Sequence, residues 1–218
     1  MATKKSVTAS SVTLARATLN IVNVLAYMLE NGASDNSAWY DTERKELSNV
    51  AQHFGIAPDV YLAAIAVFSP SIRWDKNKSE IERMARLIAT GATWEDVRNS
   101  GFMGYGPNVR KAFLILTTGD LRYLSGPKVV PFWNNLMGNS DYVTIDRHAC
   151  NIAVNGLQCG VSGDMAPTKK MFPILQMAYT NAAKIASVLY NRHYSPASIQ
   201  AITWGFVSAS VSNHTKGN

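Results

Sequence analysis

Apolar residues recur along most of the chain at the three- and four-residue intervals typical of amphipathic helices. Between residues 12 and 30 they share one face, and the pattern stops at Asn31-Gly32, a common helix-ending signal. The same reasoning, with glycine or proline as the terminator, predicts about ten helices in all. The others are expected at about 42–53, 58–68, 76–89, a short helix from Thr93, 109–116, 128–137, 146–155, 174–190 and 197–210.

Strand signals are sparse, and the best of them, YVTI at 142–145, is too short to indicate a sheet. The predicted fold class is therefore all-α. Residues 1–11 have the composition of a flexible basic tail, and 12–218 are expected to form a single unit of two lobes. One lobe is expected to contain about 56–137, and the other about 12–55 together with 138–218.

Composition narrows the possible partners. Hydrophobic residues make up 47% of the chain and charged residues 17%, which is enough apolar material for a sizeable core. The formal net charge of +6 favours a polyanionic partner. No signal peptide and no apolar run long enough for a membrane span are visible, so a cytoplasmic monomer without membrane contact is expected.

The two cysteines, Cys150 and Cys159, are too few for a four-thiolate iron–sulfur or zinc site. We expect both to be reduced thiols, and we expect no metal and no cofactor.

Two segments carry candidate chemistry: Leu124-Ser-Gly-Pro-Lys128, and the stretch from Val143 to Ala153 that contains Asp146. Together they resemble the core of the helix-hairpin-helix DNA glycosylases, the superfamily of endonuclease III and the 8-oxoguanine glycosylases. In that family a short hairpin with a lysine opens one helix, and a Val-Asp-x-His segment opens the next. Lys128 and Asp146 have the spacing of the corresponding lysine and aspartate in endonuclease III.

The resemblance extends upstream. Residues 65–88 are similar to the family's early helix pair, and 104–116 are similar to its Gly-Tyr-x-x-x-Lys-Ala helix. The implied fold is the two-lobed, all-α glycosylase fold. The implied partner is double-stranded DNA with one base flipped out of the stack, because the glycosidic bond is inaccessible inside a duplex.

The resemblance also implies catalytic roles. Asp146 would stabilise the positive charge that builds on the sugar as the N-glycosidic bond breaks. Lys128 would be the Schiff-base nucleophile of a bifunctional enzyme. On a plainer interpretation, Asp146 is only a helix cap and Lys128 only a surface lysine.

Departures from the family pattern keep other functions open. The hairpin is two residues shorter than in the family, proline replaces a backbone donor at Pro127, and Arg-His follows Asp146. Some phage enzymes that hypermodify thymidine-type bases resemble the glycosylases and displace a group on the base. We therefore keep three hypotheses: a glycosylase that excises a modified base, a transferase acting on a modified base in phage DNA, and an inactive DNA-binding module.

Further residues are candidates for contact with DNA or the flipped base through loops, aromatic stacking or positive charge. A structural role is the alternative for several of them. Trp74 and Tyr105 would close the core, His148 would make an internal hydrogen bond, and Arg110, Lys111 and Arg147 would face solvent. These candidates are Arg73, Trp74, Asn77, Tyr105, Arg110, Lys111, Gly126, Arg147 and His148.

Overall fold

The computed structural model describes residues 12–32, 35–159 and 165–214, with side chains up to residue 207. Within these ranges the chain forms ten α-helices and no strand, which confirms the all-α prediction. The tail expected at 1–11 lies outside them. The helices are α1 (Leu14–Glu30), α2 (Trp39–His53), α3 (Pro58–Phe68), α4 (Trp74–Ala89), α5 (Trp94–Asn99), α6 (Gly106–Thr118), α7 (Val129–Leu136), α8 (Arg147–Asn155), α9 (Met171–Leu189) and α10 (Pro196–His214).

The helices divide into two compact units. The terminal unit contains the chain up to Trp39 and from Ser140 onward, and the central unit is Tyr40–Asn139. The division differs from expectation at α2, which was assigned to the terminal lobe and lies in the central unit. Its contacts give the reason, since Lys78 on α4 donates to Glu43 at 3.1 Å and to Glu46 at 2.9 Å.

In the terminal unit, α1, α8, α9 and α10 pack around one apolar core. Ile21 from α1, Ile152 from α8 and Leu175 from α9 are fully buried there. The side-chain amide of Asn20 donates to the carbonyls of Ala153 and Val154, both at 2.9 Å, and so satisfies carbonyls near the C-terminal end of α8.

In the central unit, α3 is the enclosed helix. Every residue from Tyr61 to Phe68 is at most 2% exposed, and α4, α6 and α7 pack against it. A helix that is apolar on all sides needs such a complete surround. The carbonyls at the C-terminal end of α3 therefore lie inside the unit, where they require partners from other helices.

Local chemistry accounts for the helix ends. Gly119 follows α6 with φ of +69°, a conformation that glycine adopts without strain. Thr93 and Asp96 form the predicted capping box of α5, with the Thr93 amide donating to Asp96 at 2.8 Å. Helix α9 begins at Met171 rather than at the expected 174, because Pro173 is tolerated in a first turn, where its missing N–H needs no acceptor.

Among the helices of the described ranges, none alone has the length and hydropathy that crossing a membrane requires. Only the pair formed by Asn36–His53 and Pro58–Phe68 meets both criteria, and that pair is bent by 114°.

Candidate functional site

Asp146 is the N-cap of α8. Its backbone is extended, with φ of −95° and ψ of −172°, and its Oδ1 accepts a hydrogen bond from the amide of Ala149 at 2.8 Å. Capping satisfies one of the amides that a helix start leaves without an intrahelical partner, and the negative charge lies at the positive end of the helix dipole. The interpretation of Asp146 as a cap is thus confirmed, and it is compatible with a catalytic role.

The cap uses only one oxygen of the carboxylate. Asp146 is half-buried, and Oδ2 makes neither a hydrogen bond nor an ion pair with any residue that the structure describes. The carboxylate is therefore anchored through Oδ1 and keeps Oδ2 for another partner.

The charge of Asp146 also acts on the core beneath it. Burial, and secondarily the negative charge of Asp146, raises the pKa of the Cys150 thiol to about 11. Burial likewise raises the pKa of Cys159 to about 11, and both cysteines are buried and free of disulfides. Both therefore remain neutral thiols at neutral pH, a form that is a poor nucleophile and a poor metal ligand.

His148 lies two residues beyond Asp146, in the first turn of α8. Its ring meets Trp204 of α10 edge to face, with centroids 5.8 Å apart and planes at 83°. Its Nδ1 is enclosed and has no hydrogen-bond partner in the described part of the chain. Leaving a buried polar atom unsatisfied costs about 1–3 kcal/mol, and native structures keep few such atoms. The start of α8 thus holds unused hydrogen-bonding capacity in both Asp146 and His148, while Arg147 between them is exposed.

Trp204 is half-buried and packs against His148. Sequence patterns give no signal for this pairing, because the two residues belong to helices far apart along the chain.

Lys128 precedes α7 in the central unit. Its backbone is already helical, and no side chain caps this helix. The Nζ atom is 3.5 Å from the carbonyl of Ser69, just after α3, and 5.9 Å from the centre of the Phe132 ring. A cation beside the C-terminal end of a helix is favourable. These contacts give Lys128 a structural role in joining α7 to α3.

Asn77 and Trp74 support the same region. Asn77 is 1% exposed and donates its amide to the carbonyl of Ile65 at 3.1 Å. Trp74 packs edge-on against Phe132, with centroids 5.7 Å apart. Asn77 is thus enclosed rather than presented to DNA, and the structure supports the core alternative for Trp74. Arg73 is exposed and paired with Asp75 at 3.3 Å.

Ser71 was not singled out from the sequence, yet it has φ of +65° in the turn between α3 and α4. Serine rarely adopts this conformation, and such residues concentrate at functional sites. No sequence signal marks it, because serine is common in ordinary turns.

The remaining candidates lie in or after the glycine-rich loop that joins α5 to α6 (residues 100–105), and in the hairpin at 124–128. Tyr105 is 66% exposed at the start of α6, and Arg110 stacks over Trp94 with its guanidinium 6.0 Å from the ring centre. Lys111 donates to Ser125 of the hairpin at 3.0 Å. Gly126 has φ of +118° there and accepts from the amide of Val130 at 3.1 Å, so this turn requires glycine.

The candidates thus fall into two groups. The terminal unit holds Asp146, Arg147 and His148, and the central unit holds the other eight. Across the described ranges, no group of three or more His, Cys, Asp or Glu side chains is arranged to hold a metal ion.

The sequence model of a family of unknown function, DUF7178, matches residues 3–210. No curated protein and no solved structure matches the chain.

Proposed function

For this chain, which belongs to DUF7178, a family of unknown function, we propose an enzymatic activity on DNA. The protein binds double-stranded DNA with one base out of the stack and excises a modified base, with Asp146 as the catalytic carboxylate. The proposal combines the resemblance to the helix-hairpin-helix glycosylases with the chemistry at the start of α8.

The observation that carries it is the state of Asp146. Its Oδ1 is fixed by the Ala149 amide, and its Oδ2 makes no bond to any other residue that the structure describes. A carboxylate held in place before the reaction stabilises developing positive charge better than one that must reorient. The Oδ1 contact fixes the carboxylate, and the remaining oxygen is available to substrate.

The proposed reaction is hydrolysis. The bond between the base nitrogen and C1′ of the sugar breaks, and the electron pair leaves with the base, which takes up a proton. Asp146 stabilises the cationic sugar, and a water oxygen then bonds to C1′ and releases its proton to the carboxylate or to solvent.

The position of Lys128 favours hydrolysis over the Schiff-base alternative. A lysine nucleophile must be neutral and free to reach the sugar. The Lys128 amine lies against the Ser69 carbonyl and the Phe132 ring. The second candidate, a transferase that displaces a group on a modified thymidine-type base in phage DNA, likewise requires no attack by Lys128.

Positive charge supports the choice of DNA. The net charge is +6, and Arg73, Arg110 and Arg147 are exposed. Contacts between such side chains and phosphates release counterions, so affinity should fall steeply between roughly 50 and 200 mM salt.

Mass spectrometry of bases and nucleosides tests the proposal. DNAs of varied modification are incubated with the parent protein, with Asp146→Asn, and with Asp120→Asn as the control. Asp120 also caps a helical turn, in the central unit, by accepting from the Arg122 amide at 2.9 Å.

We expect the parent and Asp120→Asn to release a free base and Asp146→Asn to release almost none. A base of changed mass still attached to the sugar would select the transferase. A complete lack of change with every DNA, or equal activity of both variants, would contradict catalysis at Asp146.

A further inference from the structure

The central unit has a pocket that is separate from the start of α8. It is an open cavity of about 740 Å³ formed by α5, the glycine-rich loop, the first half of α6 and Tyr123. Its volume is within the range of small-molecule sites.

The lining is positively charged. Arg98, Arg110 and Lys111 contribute cations, and no carboxylate is among the lining residues. Arg98 is paired at 3.4 Å with Glu95, which lies outside the lining. Lys111 donates to a neutral hydroxyl, that of Ser125, and forms no ion pair with a carboxylate in the described part of the chain. The charge balance of the lining therefore fits an anionic ligand.

The lining is also aromatic. Trp94, Phe102 and Tyr123 bring three rings to the pocket. Phe102 is held by the guanidinium of Arg83, 3.8 Å from its ring centre, and Arg110 stacks over Trp94. Fixed rings of this kind are platforms on which a planar ligand stacks at small entropic cost.

Two glycines of the lining, Gly104 and Gly106, flank Tyr105. A Cβ at Gly104 would lie 2.8 Å from the Phe68 ring, so this close approach of the backbone requires glycine. A Cβ at Gly106 would meet nothing within 4 Å, so the space beside the start of α6 is empty. Tyr105 supplies no side-chain cap to α6, whose N-terminal end carries partial positive charge.

We propose that this pocket binds a nucleotide, with the base packed among the rings of Trp94, Phe102 and Tyr123 and the phosphate held by Arg110 and Lys111. A planar ring joined to an anion matches the combination of rings and cations, whereas inorganic phosphate would make no use of the rings. The site goes beyond the proposed excision reaction, since it includes no residue at the start of α8. The nucleotide comes either from solution or from an unpaired position in a DNA strand.

Tryptophan fluorescence tests the proposal directly. The parent is titrated separately with dTMP, with a single-stranded 12-mer and with the matched duplex. The difference between the parent and Trp94→Phe gives the part of the fluorescence quenching that comes from Trp94. Arg110→Gln/Lys111→Gln removes two pocket charges, and Lys45→Gln/Arg86→Gln removes two charges elsewhere in the same unit.

We expect saturable quenching by dTMP or by the single strand, and loss of most of that quenching in Trp94→Phe. Affinity should fall about tenfold or more in the pocket variant, as for loss of charge-assisted phosphate contacts, and remain at the parental value in the control. Saturation by dTMP indicates a free nucleotide as the source, and saturation by the single strand alone indicates DNA.

Three results would overturn the proposal. The first is quenching that is unchanged in Trp94→Phe, the second is equal weakening in the two charge variants, and the third is binding of the duplex alone. If Trp94→Phe proves unfolded by circular dichroism, the two charge variants still decide the question. Asp146→Asn should bind the nucleotide normally, which separates this site from the excision reaction.

Discussion

The two segments that resemble the glycosylases each open a helix, and the two helices begin in opposite ways. At the start of α8, a carboxylate on an extended residue caps the helix and leaves one oxygen for another partner. At the start of α7, Lys128 is already helical and caps nothing, and its amine lies against the carbonyl of Ser69 after α3.

The helix dipole explains the difference. A negative group is stabilised at a helix start, so Asp146 remains there, whereas a positive group is stabilised at a helix end, so Lys128 extends to α3. The two segments that resemble the glycosylases therefore place their charged residues, Asp146 and Lys128, in different structural environments. In the proposed function the start of α8 is the active site, and the start of α7 supports the fold through Lys128.

Asn77→Ala should have the largest effect on stability, because Asn77 belongs to the supporting region. The substitution leaves the buried Ile65 carbonyl without its 3.1 Å partner. We expect a loss of about 1–3 kcal/mol in the free energy of unfolding, measured by urea denaturation. Ser79→Ala, at an exposed position of the same helix, should lose almost nothing. A stability loss for Asn77→Ala no larger than that control would show that the region is not a support.

Two substitutions of Asp146 should distinguish its contribution to the free energy of unfolding from its contribution to the reaction rate. Asp146→Ala removes the contact to Ala149 and should lower the free energy of unfolding by about 1 kcal/mol. Asparagine caps about as well as aspartate and loses only the interaction of the charge with the helix dipole, so Asp146→Asn should stay within about 0.5 kcal/mol of the parent. Equal destabilisation by both substitutions would mean that the charge contributes more than the Ala149 contact does, and the role of Asp146 as a cap would then need revision.

Ser71→Gly should have the smallest effect and the opposite sign. Relief of the strain at φ of +65° exceeds the entropic cost of glycine, and the expected gain in stability is about 0.5 kcal/mol. Asn191, with φ of +46° in the terminal unit, provides the control, because asparagine tolerates this conformation better than serine. Asn191→Gly should thus gain less, and a loss of stability in Ser71→Gly would contradict the strain.

The sequence predicted the helices well where local chemistry fixes their ends. Gly119 after α6 and the Thr93–Asp96 capping box behave as expected, since both signals act within a few residues. The lobe predicted for α2 differs from the unit that contains it, and its contact with Lys78 comes from a different helix. Contacts of that kind leave no local pattern.

In the candidate site too, features that depend on neighbouring residues could be predicted from the sequence, and contacts between distant helices could not. The cap formed by Asp146 could be predicted from its place before an apolar helix. The contact of Lys128 with Ser69, the pairing of His148 with Trp204 and the enclosure of Asn77 are tertiary features without a signature in the local sequence.

The most direct test is the single-turnover rate on a DNA that the parent processes, compared for Asp146→Asn and Lys128→Gln. The proposed roles predict a loss of about 10²-fold or more for Asp146→Asn, typical of one key electrostatic group, with DNA binding retained. Lys128→Gln should keep the parental rate, and borohydride should trap no covalent adduct with the parent. Full activity of Asp146→Asn would contradict the central claim, and a parental adduct that disappears in Lys128→Gln would assign the attack to the lysine.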